Sequence, residues 1–248
     1  MLAVDCANGL GLPRPNRAAR GRPAGSKTNL WPRQWYRVLT SLLRSMSASS
    51  TPVLTAEQLA TGLPYPAYRQ HIAEVMATPQ PDEQLAKMLP HYRTAAERMD
   101  KVAPTVVLRP ELQAALGQLS GQYVWAIITE GWCGDASHTV PIIEAVAAAS
   151  GGHLATRYFL RDAHPDLIDR YLTNGGRAIP IAVVLHADTL TEAGVWGPRP
   201  APLQAIHQDL KTRQVPFKEV ITTVNNWYDH DATRTTQQEL LALVQQLA

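Results

Sequence analysis

The stretch of the sequence with the clearest chemistry is Trp-Cys-Gly-Asp at 132–135. It follows an apolar run at 123–129 that is typical of a buried strand, and it precedes a helical pattern at 136–150. A thiol at the start of a helix faces unpaired backbone N–H groups and the positive end of the helix dipole, and both favour the thiolate. This placement predicts that Cys133 is a nucleophile. A lone cysteine is more often an inert, small apolar residue, and these residues alone leave that alternative open.

The carboxylate two positions after this thiol, Asp135, works against a reactive sulfur. Its full negative charge opposes the roughly half charge of the helix dipole. Aspartate is also favoured at the start of a helix. We therefore weigh two hypotheses for Asp135: it starts the helix, or it orients a substrate donor or a water molecule beside Cys133.

Other polar residues near this stretch carry weaker signals. His138 follows the cysteine by five positions, which directs it away from the sulfur on an ideal helix, so we predict an exposed side chain. Arg177 is expected to be a solvated loop residue, and Trp196 a packing corner. His153 and His164 have no partner at a metal-ligand spacing, so the sequence predicts no metal site and no cofactor.

The chain around the cysteine alternates strand and helix patterns. We predict strands at 123–129, 154–160, 180–185 and 192–196, helices at 136–150 and 164–172, and three more helices after residue 200. A strand, helix and strand in succession require a parallel pair joined by a crossover helix, whereas strands joined by a short turn are antiparallel. The second half is therefore expected to be an α/β fold, with a small mixed sheet and flanking helices.

The residues before this sheet have a helical pattern. Thr55-Ala-Glu-Gln is a capping signal, Gly62 ends the first short helix, and apolar residues then recur at helical spacing. We predict an N-terminal helical extension at 51–119 and a domain at 120–248 that includes the C-terminal helices.

Residues 1–50 differ from the rest of the chain in charge. They hold eight basic residues against one acidic residue, a net charge of +7, whereas the remaining 198 residues hold 15 basic and 20 acidic residues, a net charge of −5. We predict that this basic, Arg- and Pro-rich segment is disordered. Three interpretations stay open: an organelle transit peptide, a basic arm that touches anionic partners, or residues upstream of a true start at Met46.

Composition excludes several classes of function. The acidic body is a poor match for nucleic acid, whose binding depends on clustered Lys and Arg. Two cysteines, Cys6 and Cys133, are too few for a disulfide framework or a zinc site of several thiolates. No apolar run approaches the roughly 20 residues of a membrane-spanning helix. We therefore expect a cytoplasmic protein that binds neither nucleic acid nor membrane.

Three motifs together resemble the thioredoxin superfamily. They are Ile-Thr-Glu-Gly-Trp-Cys-Gly-Asp at 128–135, Gly-Gly-Arg-Ala-Ile-Pro at 175–180 and Trp-Gly-Pro-Arg-Pro at 196–200. The combination is similar to a bacterial group of thioredoxin-like proteins with an added N-terminal helical segment, over about residues 54–247. The resemblance implies a thioredoxin-like fold and a cis peptide bond between Ile179 and Pro180, in a loop that lies against the thiol of Cys133.

The sequence departs from dithiol thioredoxins at the residues that complete turnover. Their Cys-Gly-Pro-Cys becomes Cys-Gly-Asp-Ala here, so Ala136 stands in the place of the second, resolving cysteine. Ile127 stands where the family has a buried carboxylate that assists that cysteine. The resemblance then implies that a mixed disulfide on Cys133 is released by an external thiol.

The resemblance leaves two functions. The first is monothiol thiol–disulfide exchange by Cys133, with a protein disulfide or a low-molecular-weight thiol as partner. The second is a non-catalytic protein-binding module in which the thioredoxin fold persists and the cysteine is a remnant. For the first, the residues expected to contact substrate are Trp132, Gly134, Asp135, Ile179 and Pro180. The backbone of the last two would hold an extended substrate segment like a neighbouring strand. The sequence leaves the oligomeric state open.

Overall fold

The computed structural model describes residues 51–248, which lie in one compact unit. The predictions for residues 1–50, including disorder and a start at Met46, lie outside the described residues. The helices are α1 (Ala56–Thr61), α2 (Tyr65–Met76), α3 (Glu83–Val102), α4 (Pro110–Leu116), α5 (Gly134–Ala149), α6 (Pro165–Ile168), α7 (Ala201–Thr212), α8 (Phe217–Asp231) and α9 (Arg234–Gln245). The strands are β1 (Tyr123–Thr129), β2 (Leu154–Leu160), β3 (Ile181–His186) and β4 (Glu192–Trp196). Within this part of the chain, no helix is long and apolar enough to cross a membrane.

The four strands form one mixed sheet in the order β2-β1-β3-β4. β1 runs parallel to β2, with Tyr123 opposite Leu154, and antiparallel to β3, with Ile128 opposite Ile181. β3 and β4 are antiparallel. α5 is the crossover that joins the parallel pair. The predicted mixed α/β sheet with flanking helices is thus confirmed.

The predicted boundaries of the strands hold better than those of the helices. Three strands match residue for residue. β3 begins one residue late, at Ile181, because the proline before it has no N–H to donate, and it ends one residue late, at His186. The predicted helix at 164–172 is wrong in length, since α6 ends at Ile168. The chain then turns through Asn174, whose φ is 51°, a conformation that asparagine tolerates better than most residues.

The two central strands of the sheet, β1 and β3, are apolar except for their last residues. Trp125, Ile127 and Val183 are fully enclosed, as expected of strands that are covered on both faces. Burial of each large apolar side chain contributes about 1.5 to 3 kcal/mol. The segment after β1, which contains Cys133, and the segment before β3, which contains Ile179 and Pro180, are therefore attached to well-packed strands.

The helical region at 51–119 packs against the sheet and its crossover helix. α3 lies along α5, and Tyr68 of α2 stacks on Tyr158 of β2 with ring centroids 4.5 Å apart. Leu63, between α1 and α2, exchanges two backbone hydrogen bonds with Tyr158, at 2.8 and 2.9 Å. The capping signal at Thr55 is present as a capping box at the start of α1. These helices therefore cover β2 and one side of α5.

The C-terminal helices divide into two groups. α7 and α8 pack around a small apolar cluster formed by Leu203, Val220, Val224 and Tyr228. α9 instead returns to the main core, where Val244 is fully buried. α8 therefore packs against α7 through this cluster as well as facing α5.

Candidate functional site

Cys133 lies at the N-cap of α5. Its Sγ accepts a hydrogen bond from the backbone N–H of Ala136 at 3.4 Å, and its thiol donates to the carbonyl oxygen of Ile179 at 3.4 Å. The Ile179-Pro180 peptide bond is cis. The cysteine is 5% exposed. Two motifs that are far apart in the sequence thus meet at the sulfur.

The surroundings of Cys133 favour the protonated thiol. Burial above all, and then the charge of Asp135, raise the pKa of Cys133 to about 12. The N–H of Ala136 and the guanidinium of Arg199 oppose this rise, because both stabilise a negative sulfur. The start of the helix therefore acts on the thiol in the direction expected from the sequence, but removal from water outweighs it. At neutral pH the resting protein holds a neutral thiol.

Asp135 is buried in a two-point ion pair. Its Oδ2 lies 2.6 Å from Nη2 of Arg199, and its Oδ1 accepts from Nε of Arg199 at 3.0 Å and from the hydroxyl of Tyr228 at 3.1 Å. Burial raises the pKa of Asp135, while Arg199 and Tyr228 oppose that rise. Both carboxylate oxygens thus have partners within the protein. We refer to Asp135, Arg199 and Tyr228 as the Asp135 cluster.

The loop after β4 brings Arg199 to this cluster. Gly197 has a φ of 121°, and a Cβ there would overlap the carbonyl oxygen of Pro180, so glycine allows the two loops to touch. Trp196, just before it, is buried and donates from Nε1 to Oε2 of Glu239 at 2.8 Å. The packing corner expected at Trp196 is present, and it fixes the start of the loop that carries Arg199.

The prediction of an exposed His138 is wrong. The residue is 5% exposed, its ring stacks on Tyr228 with centroids 4.2 Å apart, and its Nε2 lies 3.3 Å from Oδ1 of Asn225. Both partners belong to α8, and the position of that helix does not follow from spacing within α5. Burial, and then the charge of Arg98, lower the pKa of His138 to about 4. His138 is therefore a neutral packing residue between α5 and α8 at physiological pH.

The helical region contributes Tyr68 to the site. Its hydroxyl donates to the carbonyl oxygen of Glu130 at 3.3 Å, and the N–H of Cys133 donates to the same oxygen at 3.1 Å. The carboxylate of Glu130 is buried and accepts from the N–H of Asp162 at 2.9 Å, and burial raises its pKa. Ile127, at the position of the family's assisting carboxylate, is fully buried and apolar. The buried acid that acts on the thiol is instead Asp135, two positions after the cysteine.

Trp132 and Gly134 form the outer rim of the site. Trp132 is half-buried, and the guanidinium carbon of Arg161 lies 4.9 Å from its ring centroid. Gly134 is exposed, and a Cβ there would meet no atom within 4 Å. Arg177 is exposed, as expected, and forms a two-point ion pair with Asp169. The expected contacts between a substrate and Trp132 or Gly134 stay predictions.

Sequence reasoning did not identify three of the residues around the thiol. Arg199 lies inside the Trp-Gly-Pro-Arg-Pro motif, which was the available signal. Tyr68 and Tyr228 follow the ordinary apolar period of their helices and gave no signal of a site. Between residues 51 and 248, no group of three or more His, Cys, Asp or Glu side chains is placed to hold a metal ion.

Four mixed strands flanked by helices, with a cysteine at the start of the crossover helix, define a thioredoxin-like fold. The sequence profile of the family described as Thioredoxin matches residues 82–211, more than half of the chain. The chain belongs to this family. The match begins at Asp82, the residue that caps α3, so the family's pattern includes part of the helical region as well as the sheet.

Two solved structures share the fold. A protein of unknown function from Pseudomonas aeruginosa is 14% identical with a TM-score of 0.54, and the match covers 79% of this chain and 99% of that one. An HIV epitope-scaffold is 16% identical with a TM-score of 0.52, and the match covers 78% of this chain and 98% of that one. Among curated proteins, none matches this sequence. At these sequence identities the similarity supports the fold alone, and the function is argued from the residues of the site.

Proposed function

We propose that this protein carries out thiol–disulfide exchange through Cys133, with an external thiol completing the reaction. The observation that carries the proposal is the contact between the Cys133 thiol and the carbonyl oxygen of Ile179, at 3.4 Å. It places a sulfur at a helix N terminus directly beside the backbone of a loop that can pair with an extended segment. Membership of the thioredoxin family supports the same function.

The proposed reaction has two balanced steps. The Cys133 thiol first loses its proton to solvent, and the thiolate attacks one sulfur of a disulfide. A mixed disulfide forms, the original S–S bond breaks, and the other sulfur leaves as a thiolate. An external thiolate then attacks the substrate sulfur of the mixed disulfide, and Cys133 leaves as a thiolate. Within residues 51–248 Cys133 is the one cysteine, so this part of the chain supplies no thiol for the second step.

The residues at the rim would have distinct roles in these steps. The backbone of Ile179-Pro180 would receive the substrate once the thiol gives up its contact with the Ile179 carbonyl oxygen. Trp132, stacked beneath Arg161, would offer an apolar face to the group on the leaving sulfur. Gly134 would leave room for that group, because it has no side chain.

A second function is favoured by a different observation. Cys133 is buried and its pKa is about 12, so the thiolate is a very small fraction at neutral pH. A thioredoxin-fold module that binds proteins along the Ile179-Pro180 loop would tolerate this burial, because binding needs no reactive sulfur.

A mixed-disulfide assay separates the two functions. The full chain with Cys6→Ser, in which Cys133 is the sole cysteine, is incubated with glutathione disulfide under native conditions, and its intact mass is measured. For exchange we expect one glutathionyl adduct that persists until reduced glutathione is added, and no adduct in Cys133→Ser. An adduct that forms only after unfolding in urea would contradict exchange and support the binding module.

The same variant identifies the class of partner. Mixed disulfides are trapped in cells by rapid acidification and alkylation, and the chain is then analysed by mass. Adducts with other proteins would identify a protein disulfide as substrate. A glutathionyl or similar small adduct would identify a low-molecular-weight thiol.

A further inference from the structure

The Asp135 cluster places an enclosed negative charge next to the thiol. Asp135 follows Cys133 by two positions, and its side chain is 10% exposed, while that of Arg199 is 13% exposed. The three members of the cluster come from the start of α5, the loop after β4, and α8. Charges with so little access to solvent are weakly screened by salt. The Asp135 charge is accordingly the strongest influence after burial that keeps the sulfur protonated.

Arg199 fixes the position of that charge. Its Nε and Nη2 engage the two oxygens of Asp135, and its Nη1 donates to Oε1 of Gln204 at 3.2 Å. A forked contact of this kind sets orientation as well as distance. Asp135 and Gln204 thus hold the guanidinium between them, and the carboxylate cannot turn away from Cys133 without breaking its two contacts with Arg199 and the hydrogen bond from Tyr228.

We propose that Arg199 is a positioning residue that acts through Asp135: it holds the carboxylate in its charged form beside Cys133 and so restrains the sulfur from reacting until this pair is loosened. The inference rests on the proposed exchange function and extends it to the control of the same site. Arg199 then has two opposite effects on the sulfur. Its own positive charge favours the thiolate, whereas the negative charge that it retains on Asp135 disfavours the thiolate.

Other charged and titratable groups around the cluster and the thiol come from several elements. They are Tyr68 of α2, Arg98 of α3, Glu130 after β1, His138 of α5 and His207 of α7. Among the described residues, those whose side chains contact the Asp135 carboxylate are Arg199 and Tyr228. Arg199 is the partner that carries the opposite charge, so its contact with Asp135 is the one to test.

The test is the rate of iodoacetamide alkylation of Cys133 between about pH 6 and pH 10, in the full chain with Cys6→Ser. Four backgrounds are compared: no further change, Asp135→Asn, Arg199→Met, and both together. Asparagine keeps the shape of the carboxylate and still accepts hydrogen bonds, but it removes the charge. Arg199→Lys is the conservative variant, since it keeps the positive charge.

We expect Asp135→Asn to raise the rate at neutral pH by about tenfold or more, because one unit of thiol pKa is a tenfold change in thiolate. In the Asp135→Asn background, Arg199→Met should lower the rate, since only the direct effect of the guanidinium remains. In the original background, Arg199→Met should raise the rate, because Asp135 without its counter-ion takes up a proton. Arg199→Lys should react at the rate of the original chain, because it keeps the positive charge beside Asp135.

Two outcomes overturn the proposal. One is an unchanged rate in Asp135→Asn. The other is an Arg199→Met effect with the same sign and size in both backgrounds, which would mean that Arg199 acts through its own charge alone. Partial unfolding does not imitate the expected pattern, because unfolding accelerates alkylation in every background.

The alkylation assay is independent of exchange. If Asp135→Asn accelerates alkylation but forms no adduct with glutathione disulfide, the restraint by Arg199 and Asp135 stands and the exchange function fails. If the original chain forms the adduct with glutathione disulfide, and Asp135→Asn changes neither the rate of alkylation nor the rate of adduct formation, exchange stands and the restraint fails.

Discussion

Two arginines, Arg177 and Arg199, flank the Ile179-Pro180 loop in the sequence, and each pairs with an aspartate in the same geometry. Nε and Nη2 of Arg177 donate hydrogen bonds to the two carboxylate oxygens of Asp169, both at 2.7 Å. The same two atoms of Arg199 contact the two carboxylate oxygens of Asp135. The first pair is 47% and 46% exposed and joins residues eight apart, whereas the second is 13% and 10% exposed and joins residues 64 apart. The two arginine–carboxylate contacts are therefore alike, and the pairs differ in burial and in the added hydrogen bond from Tyr228 to Asp135.

The consequence appears in the ionisation of the two aspartates. Hydrogen bonding to Arg177 lowers the pKa of Asp169, as expected of an ion pair in water. Burial raises the pKa of Asp135 even though Arg199 opposes it. An identical contact thus stabilises charge at the surface, while in the interior it only offsets the loss of solvent. The sequence around each arginine gives no sign of this difference.

The largest expected effect is on stability. Arg199→Met leaves a buried carboxylate without its counter-ion, which should lower the free energy of unfolding by about 3 to 5 kcal/mol. Arg177→Met should leave it unchanged within error, because both partners are in water. Urea unfolding followed by tryptophan fluorescence measures both variants. Equal losses in the two variants would remove the distinction between the pairs.

The histidine stacked on Tyr228 extends the comparison to pH. Unfolded His138 takes up a proton near its ordinary pKa of about 6.5, but the folded form does so only near 4. Stability that is present above about pH 6.5 is therefore lost as the pH falls towards about 4, by roughly 3 kcal/mol. His138→Phe keeps an aromatic ring and should not show this fall in the free energy of unfolding at low pH. His91→Phe, at an exposed site on α3, should show the same fall as the original chain. Urea unfolding at several pH values checks this, and identical pH profiles for the two variants would contradict it.

The loops that carry the two arginines should respond differently to an added methyl group. Gly197→Ala forces a Cβ into the carbonyl oxygen of Pro180 at a positive φ, and we expect a loss of about 2 kcal/mol or more. Gly176→Ala, just before Arg177, meets an atom no closer than 3.5 Å and should be nearly neutral. Thermal and urea unfolding report both. A tolerated Gly197→Ala would show that the two loops separate easily.

The smallest effect should come from the exposed pair itself. Asp169→Asn removes the same charge as Asp135→Asn, but from a carboxylate surrounded by water, where screening is strong. We expect alkylation of Cys133 to stay within about twofold of the original rate, against the tenfold change for the buried pair. A comparable acceleration in both variants would mean that general surface charge controls the thiol.

The sheet could be predicted from the sequence because its signals are local. The run at Tyr123–Thr129 is apolar and bounded by turn residues, so its identity and limits follow from a few neighbours. The meeting of Cys133 with Ile179 came from a resemblance to a family, since no local rule brings residues 46 positions apart into contact. The predicted α6 was too long because the chain leaves the helix at Ile168 through tight turns at Arg170 and Tyr171, which no glycine or proline marks in the sequence.

The Asp135 cluster could not be predicted for a physical reason. Helical periodicity identifies a buried face but does not say which other helix covers it. The burial of His138 and the contact of Asp135 with Tyr228 depend on the docking of α8 against α5. The contact of Asp135 with Arg199 depends on the path of the loop after β4. The raised pKa of Cys133 could not be predicted from neighbouring residues either, because burial by the whole fold outweighs the effect of the helix start.

The two hydrogen bonds between Leu63 and Tyr158 have a consequence beyond the site. β2 is an outer strand of the sheet, and an outer strand with free N–H and C=O groups recruits other chains. Leu63 occupies part of this edge from a segment that precedes the sheet by about sixty residues. We expect a fragment beginning at residue 120 to leave that edge open and to self-associate, whereas the chain that includes Leu63 keeps part of the edge paired.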